Sequence, residues 1–415
     1  MAVLGIVAEF NPFHNGHRHL IEEAGKAEDF AAIVCVMSGN FVQRGEPALC
    51  NKWARARMAL NCGADLVIEI PFCFAARSAY YFARAAVQLL SRTGVVTHIA
   101  FGSENGNIQT LKKMAAILAH EPQQYKTILK KNLSRGLSFP LARSKSLQEF
   151  TDNSDGELEN ILLGSNNILA IEYLRVIEEE NLALVPLGIP RKGSKYHSTK
   201  LSTFSSATAI RNALNSSGKT EAIAAAMPAA SLEILAEEIQ HGRAPVLPDA
   251  LEQAILFKLR SLHIKDLEKI YEISEGLEYR FKEAAVSCGS LDELRKSIKS
   301  KRYSLTRINR TLLYSLFSLS KNQAAHFDKH GPLYLHILGF SAKGRKILQE
   351  IKIKSKVKIL NRGSDVRKAC NQAGLSSSGD MIALDVYAGD IYSLLFPDPK
   401  ARTGALDFTT SPVKP

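Results

Sequence analysis

No two of the six cysteines, Cys35, Cys50, Cys62, Cys73, Cys288 and Cys370, form a C-x-x-C pair, and none is grouped with histidine at metal-ligand spacing. A zinc site is therefore not expected. Four of the six lie in or beside apolar stretches, the setting of buried, reduced thiols, which implies a reducing compartment, the cytoplasm. Also missing is any apolar run near the roughly 20 residues a membrane span needs, and the opening residues Met1 to Phe10 carry neither a basic leader nor a cleavage site. No membrane partner is expected. No internal repeat or long low-complexity tract is evident either.

Acid is scarcer than base: 41 Asp plus Glu stand against 53 Lys plus Arg, a formal charge of +12. That surplus points to a polyanionic partner, with nucleic acid the leading candidate. At 415 residues with 46% apolar content, the chain is longer than one core usually serves, so two or three domains are expected.

Short β-branched runs alternate with amphipathic stretches through the first half. Strands are expected at Val3 to Ala8, Ala31 to Met37, Asp65 to Ile70, Thr97 to Phe101 and Ala183 to Leu187. Between them the helical spacing covers His17 to Glu28, Lys52 to Asn61, Ser78 to Ser91, Ile108 to His120, Tyr125 to Ser134 and Asn166 to Glu179. This order predicts an α/β fold, a doubly wound, Rossmann-like parallel sheet with ligands at the carboxyl ends of the strands. Helix formers and basic residues dominate afterwards, so the boundary is placed near Ser216 to Gly218, dividing residues 1–217 from a mostly helical, basic domain of residues 218–415. Strands at Tyr334 to Gly339 and Val357 to Leu360 belong to a small mixed segment near the end, and Thr409 to Pro415 is expected to fray.

The strongest local signal is Gly5-Ile6-Val7-Ala8-Glu9-Phe10-Asn11-Pro12-Phe13-His14-Asn15-Gly16-His17, an apolar strand running into a turn-rich loop and a helix. A helix that starts there turns its free N–H groups and positive dipole end to the crevice, favouring an anion such as a triphosphate. Gly16 lets the backbone come close, while His14 and His17 can donate to phosphate oxygens and stabilise charge that builds as the α-phosphorus is attacked. An isolated H-x-G-H match means little; its position after strand one and before helix one gives it weight.

Asn11-Pro12-Phe13-His14-Asn15-Gly16-His17 resembles the HxGH signature of the nucleotidyltransferase superfamily, and Ser205-Ser206-Ala207-Thr208-Ala209-Ile210-Arg211 resembles its I-S-S-T-x-I-R element. Phe204 replaces the leading Ile and Ala207 is inserted before Thr208. Further blocks, Met37 to Ala48, Asp65 to Phe72, Phe101 to Glu104 and Asn166 to Tyr173, resemble the branch of that superfamily that acetylates a cytidine of tRNA-Met. The resemblance implies an ATP-dependent ligase that makes acetyl-adenylate from acetate and transfers the acetyl group to N4 of the wobble cytidine of elongator tRNA-Met. It also implies ATP contacts at Val7, Ala8, Glu9, Phe10, Asn11, Pro12, Phe13, His14, Asn15, Gly16, His17, Arg18, His19 and Leu20, at Gly102, at Asn166 or Asn167, and at Arg191 with Lys192. His14 and His17 are the expected catalytic pair, and Mg²⁺ is expected on the triphosphate, although no carboxylate cluster identifies its ligands.

Gln43, Arg44, Gly45 and Glu46 follow the second strand and are placed near the acetate or the incoming cytidine by position, with an Arg44–Glu46 pair as the alternative. Arg295, Lys296, Lys299, Lys301, Arg302, Arg307 and Arg310 fall within sixteen residues that contain no acid, and Lys343, Arg345, Lys346, Lys352, Lys354, Lys356 and Lys358 are opposed only by Glu350. Both runs suit an RNA backbone, with Tyr303 available to stack on a base; solvated helix faces are the alternative. Two other activities stay open, a small-molecule adenylyltransferase and a nonenzymatic tRNA-binding protein. The long basic second half disfavours the former, the presence of both His14 and His17 the latter.

Overall fold

In the computed structural model, residues 1–104, 108–151, 161–162, 164–192, 203–215 and 220–415 are described. The expected boundary at Ser216 to Gly218 lies outside them. β-Branched and apolar residues pair into seven strands in the order β7-β6-β1-β2-β5-β8-β9: β1 Val3–Ala8, β2 Ala32–Ser38, β5 Leu66–Ile70, β6 His98–Ser103, β7 Val185–Pro190, β8 Tyr334–Phe340 and β9 Lys358–Leu360. A separate two-stranded ribbon joins β3 Phe41–Val42 to β4 Glu46–Pro47. Pairing is parallel from β7 through β5, so the carboxyl ends of β1, β2, β6 and β7 share one edge.

Successive side chains on each central strand enter different cores, the period-2 consequence of the pleat. Val34 and Val36 of β2 and Leu66 and Ile68 of β5 join one cluster; Cys35, Met37 and Val67 join the other. The first cluster holds helices Ala79–Arg92, Ile108–His120 and Ser165–Glu179 and runs on into the helical half through Leu259, Phe281 and Leu313. The second is covered by helices Asn15–Gly25, Lys52–Asn61 and Ala229–Gln240. The two halves of the chain therefore share both cores.

Three expectations change. The Ala183 to Leu187 strand lies later, at Val185–Pro190, where Val185 N donates to Thr97 O at 2.9 Å; two prolines are tolerated because β7 is a sheet edge. The small mixed segment is not separate, since β8 pairs antiparallel with β5 and carries β9 outward, completing the same sheet. The tail does not fray: Leu406–Thr409 is helical, Phe340 N donates to Val413 O at 3.0 Å, and Val413 N donates to Leu338 O at 2.8 Å.

A buried ionic group fastens the late segments to the early ones. Lys52 Nζ lies 2.7 Å from Glu69 of β5 and 2.5 Å from Asp407, and His336 of β8 stands 2.7 Å from the same Glu69. Burial raises the Glu69 carboxyl, but Lys52 and His336 outweigh it and hold it at about 2. Glu69, His336 and Asp407 are close enough to hold a metal, yet the ammonium of Lys52 already sits among them.

Candidate active site

The loop after β1 is set by its own burial. Phe10 takes a φ of 46°, a left-handed conformation uncommon for an aromatic residue, and is held there with only 1% of its surface exposed, 4.8 Å from the Phe13 ring and 5.0 Å from that of His17. Arg55, fully buried, spans the ends of β1 and β2 by donating to Glu9 O at 2.6 Å, Ser38 O at 3.1 Å and Cys50 O at 3.0 Å, and also to Gly39 O. No local motif marks Arg55, because its role lies in reaching carbonyls of distant segments.

Helix Asn15–Gly25 opens with a reciprocal cap made by the two histidines. His14 Nδ1 accepts from Gly16 N at 3.0 Å and His17 Nδ1 accepts from His14 N at 3.2 Å, with the rings stacked 3.8 Å apart. Each Nδ1 is thus an acceptor, so a neutral ring carries its proton on Nε2. Both are held neutral: burial, with Arg191 and Arg211 adding to it, pushes His14 down to about 3, and burial with His14 and Arg191 pushes His17 well below the usual imidazole range. Gly16 has a steric reason to be glycine. A Cβ there would stand 2.8 Å from His14 Cε1, so its absence makes room for the imidazole over the helix start.

These groups open on a cleft of about 470 Å³ at the carboxyl edge of the sheet. One wall is built from the ends of β1, β6 and β7 and from helix Ala207–Asn215: His14, His17, Gly102, Asn166, Arg191, Lys192, Thr208 and Arg211 line it. Arg191 Nη1 donates to Asn166 Oδ1 at 3.0 Å and lies along the Gly102 backbone, where a Cβ would stand 3.2 Å from its Cγ. Arg211 donates to Asn11 O at 2.7 Å and to Thr208 Oγ1 at 3.2 Å, and Ser206 Oγ accepts from Ala209 N at 3.2 Å. The opposite wall comes from Gln43, Arg44 and Glu46 and from Ser304, Thr306 and Arg310 of the helical half.

A cleft with neutral imidazole donors, a helix start and arginines on one side can hold a nucleoside triphosphate and stabilise charge at its phosphorus. The model of the HIGH Nucleotidyl Transferase family matches residues 1–407. The chain belongs to that family. A tRNA(Met) cytidine acetate ligase of Syntrophomonas wolfei is 62% identical over 413 residues, covering 100% of this chain and 99% of that protein, and one of Halothermothrix orenii is 43% identical over the full length of both. Among solved structures, Thermotoga maritima TmcAL bound with alpha-thio ATP superposes with a TM-score of 0.92 at 38% identity, over 100% of this chain and 99% of that one.

Within this HIGH nucleotidyl transferase the expected nucleotide contacts divide. Val7, Ala8, Glu9, Phe10, Asn11, His14, Gly16, His17, His19, Leu20, Gly102, Asn166, Arg191 and Lys192 line the cleft; Pro12, Phe13, Asn15, Arg18 and Asn167 are not among its lining residues. Phe13 is core, Asn15 donates to Thr203 O and Ala225 O, and Arg18 pairs with Glu22 on the surface. Asn167, fully buried, accepts from Ser103 Oγ and Glu104 N, both at 3.0 Å. Glu104 in turn caps helix Ser165–Glu179 through Asn166 N and Asn167 N.

The Gln43–Glu46 loop does reach the cleft, with Gln43 N donating to Glu9 Oε1 at 2.7 Å, while Glu46 accepts from Asn309 at 3.4 Å. The first basic run is not acid-free in space. Asp249 lies 3.7 Å from Arg295, Asp292 2.6 Å from Lys296, Glu275 2.8 Å from Arg302 and Glu272 3.7 Å from Arg307. Tyr303 is not available for stacking: it is 6% exposed beneath the Arg307 guanidinium. Lys343, Arg345, Lys346, Lys352, Lys354, Lys356 and Lys358 do remain exposed, on and just after helix Ala342–Lys354.

Proposed function

We propose that this protein binds ATP and acetate in the cleft, forms acetyl-adenylate, and transfers the acetyl group to N4 of the wobble cytidine of elongator tRNA-Met. The observation that carries this reading is the neutral His14–His17 pair, His14 buried and His17 half-buried, in a cleft walled by both halves of a chain whose full-length relatives share that named activity. An acetate oxygen attacks the α-phosphorus and pyrophosphate leaves; the cytidine amine then attacks the acetyl carbonyl, releasing AMP and a proton. His14 and His17, as Nε2–H donors, stabilise the phosphoryl oxygens without first losing a proton, and Arg191, Lys192 and Arg211 balance triphosphate charge.

Mg²⁺, a small hard cation with a preference for oxygen ligands, would supply further charge balance to the triphosphate. The cleft carboxylates do not make it a cage: Glu9 is raised by burial and accepts from Gln43 N, and Glu46 accepts from Asn309, so no step is routed through the metal. The exposed lysines of the Lys343–Lys358 stretch offer the surface for tRNA backbone. Among the described residues no helix is long and apolar enough to cross a membrane, and a tRNA substrate with unpaired thiols suits the cytoplasm. Incubation with ATP, labelled acetate and total tRNA, followed by nucleoside analysis, tests the reading: label in N4-acetylcytidine is expected, and labelled adenylate without labelled nucleoside would sink the transfer step.

A further inference from the structure

Arg310 departs from the other arginines of its run. Arg295, Arg302 and Arg307 each lie near an acid, Arg307 with a buried Nε that makes no hydrogen bond but stands 3.7 Å from Glu272; Arg310 is 8% exposed, lines the cleft, and has its Nε buried without a hydrogen-bond partner and without such an acid. Among the described residues no carboxylate pairs with it; even Glu46, at the same wall, bonds to Asn309 instead. A buried guanidinium left without an anion costs free energy, which marks the position as one that an anion fills in use.

Its place in the cleft identifies the anion. Arg310 sits on helix Leu305–Phe317, which packs so tightly under the Gly45 turn that a Cβ on Gly45, whose φ is +77°, would stand 2.4 Å from Arg310 N. That turn is anchored to Glu9 at the end of β1 through Gln43 N. Arg310 therefore reaches the cleft beside the Gln43–Glu46 turn, apart from the β1–β6–β7 wall where Arg191 supplies positive charge for the nucleotide. Resting on the activity proposed above, we infer that Arg310 binds the carboxylate of acetate, presenting it to the α-phosphorus from the wall opposite Arg191. A planar guanidinium fork matches a carboxylate by two parallel hydrogen bonds, and its depth suits a small acid better than a backbone phosphate of RNA, which needs an open surface.

The test is acetate-dependent ATP–pyrophosphate exchange by the wild-type protein, Arg310→Gln and Arg310→Lys, each titrated with acetate, alongside calorimetric ATP affinity and the tRNA dependence of acetyl transfer. For both variants the KM for acetate should rise about tenfold or more while ATP affinity stays within about twofold. Should Arg310→Gln fail to fold, Arg310→Lys, which keeps the charge and loses the fork, carries the test. An unchanged acetate KM overturns the assignment, and a raised KM for tRNA with acetate KM unchanged overturns it in favour of an RNA phosphate. Absence of exchange in the wild-type protein would sink the activity itself rather than Arg310's part in it.

Discussion

The two walls of the cleft are built by different means. The β1–β6–β7 wall owes its central element to local chemistry: a strand, a buried turn and a helix whose first residues cap one another, all within Val3–Gly25. The wall of Gln43–Glu46 and Ser304–Arg310 exists only because a ribbon from the first half packs on a helix from the second, brought there by a shared sheet and shared cores. Chemistry encoded within one segment can survive local changes elsewhere, whereas the second wall depends on the whole fold being assembled.

That dependence can be broken at the buried ionic group. Lys52→Met leaves Glu69 and Asp407 facing each other without their ammonium, and breaking such a pair costs about 3–5 kcal/mol. Denaturant unfolding, followed by the fluorescence of Trp53 over whose ring Lys52 sits at 4.9 Å, should show a single transition at lower denaturant. Two separated transitions would mean the halves unfold independently and would undo the contrast drawn between the walls. The first wall is probed by His14→Ala and His17→Ala. Each removes a preorganised donor and should slow acetate-dependent pyrophosphate exchange by about 10²–10³-fold, with tRNA affinity unchanged. Near-normal exchange in either variant would remove that imidazole from phosphoryl stabilisation.

The same division explains what could be seen in the sequence. His14, Gly16 and His17 are legible because function and local geometry occupy one short segment, and strands such as β1 and β5 because buried parallel strands are dense in Val, Leu and Ile. Even there the reason for Gly16 differs, since it clears space for the His14 ring. Arg310 read as one more cation in a basic run because nothing nearby in sequence tells that Glu272, Glu275 and Asp249 neutralise its neighbours and not it. Asn166 and Asn167 could not be told apart because a helix-opening Asn can cap, bind or brace; Asn166 lines the cleft, while Asn167 braces Ser103 and Glu104. The tail looked frayed because Asp407 and Val413 find their partners in Lys52 and β8, far away in the chain.

The smallest expected effect concerns acid. Because burial and the charges of Arg191 and Arg211 depress His14 to about 3, the folded protein leaves this ring unprotonated at pH values where the unfolded chain, near 6.5, takes up a proton. The sign follows: below about pH 6.5 the unfolded state binds more protons, so stability falls as pH drops toward the folded value, by at most about 1.4 kcal/mol per pH unit for one site. His14→Gln, which cannot titrate, should lack that contribution, so the stability difference between variant and wild type should shift in the variant's favour between pH 6.5 and 5 and be flat above 7.5. Urea unfolding across that range measures it. Parallel curves for the two proteins would mean that His14 titrates alike folded and unfolded, and the neutral-donor role assigned to the first wall would fail with it.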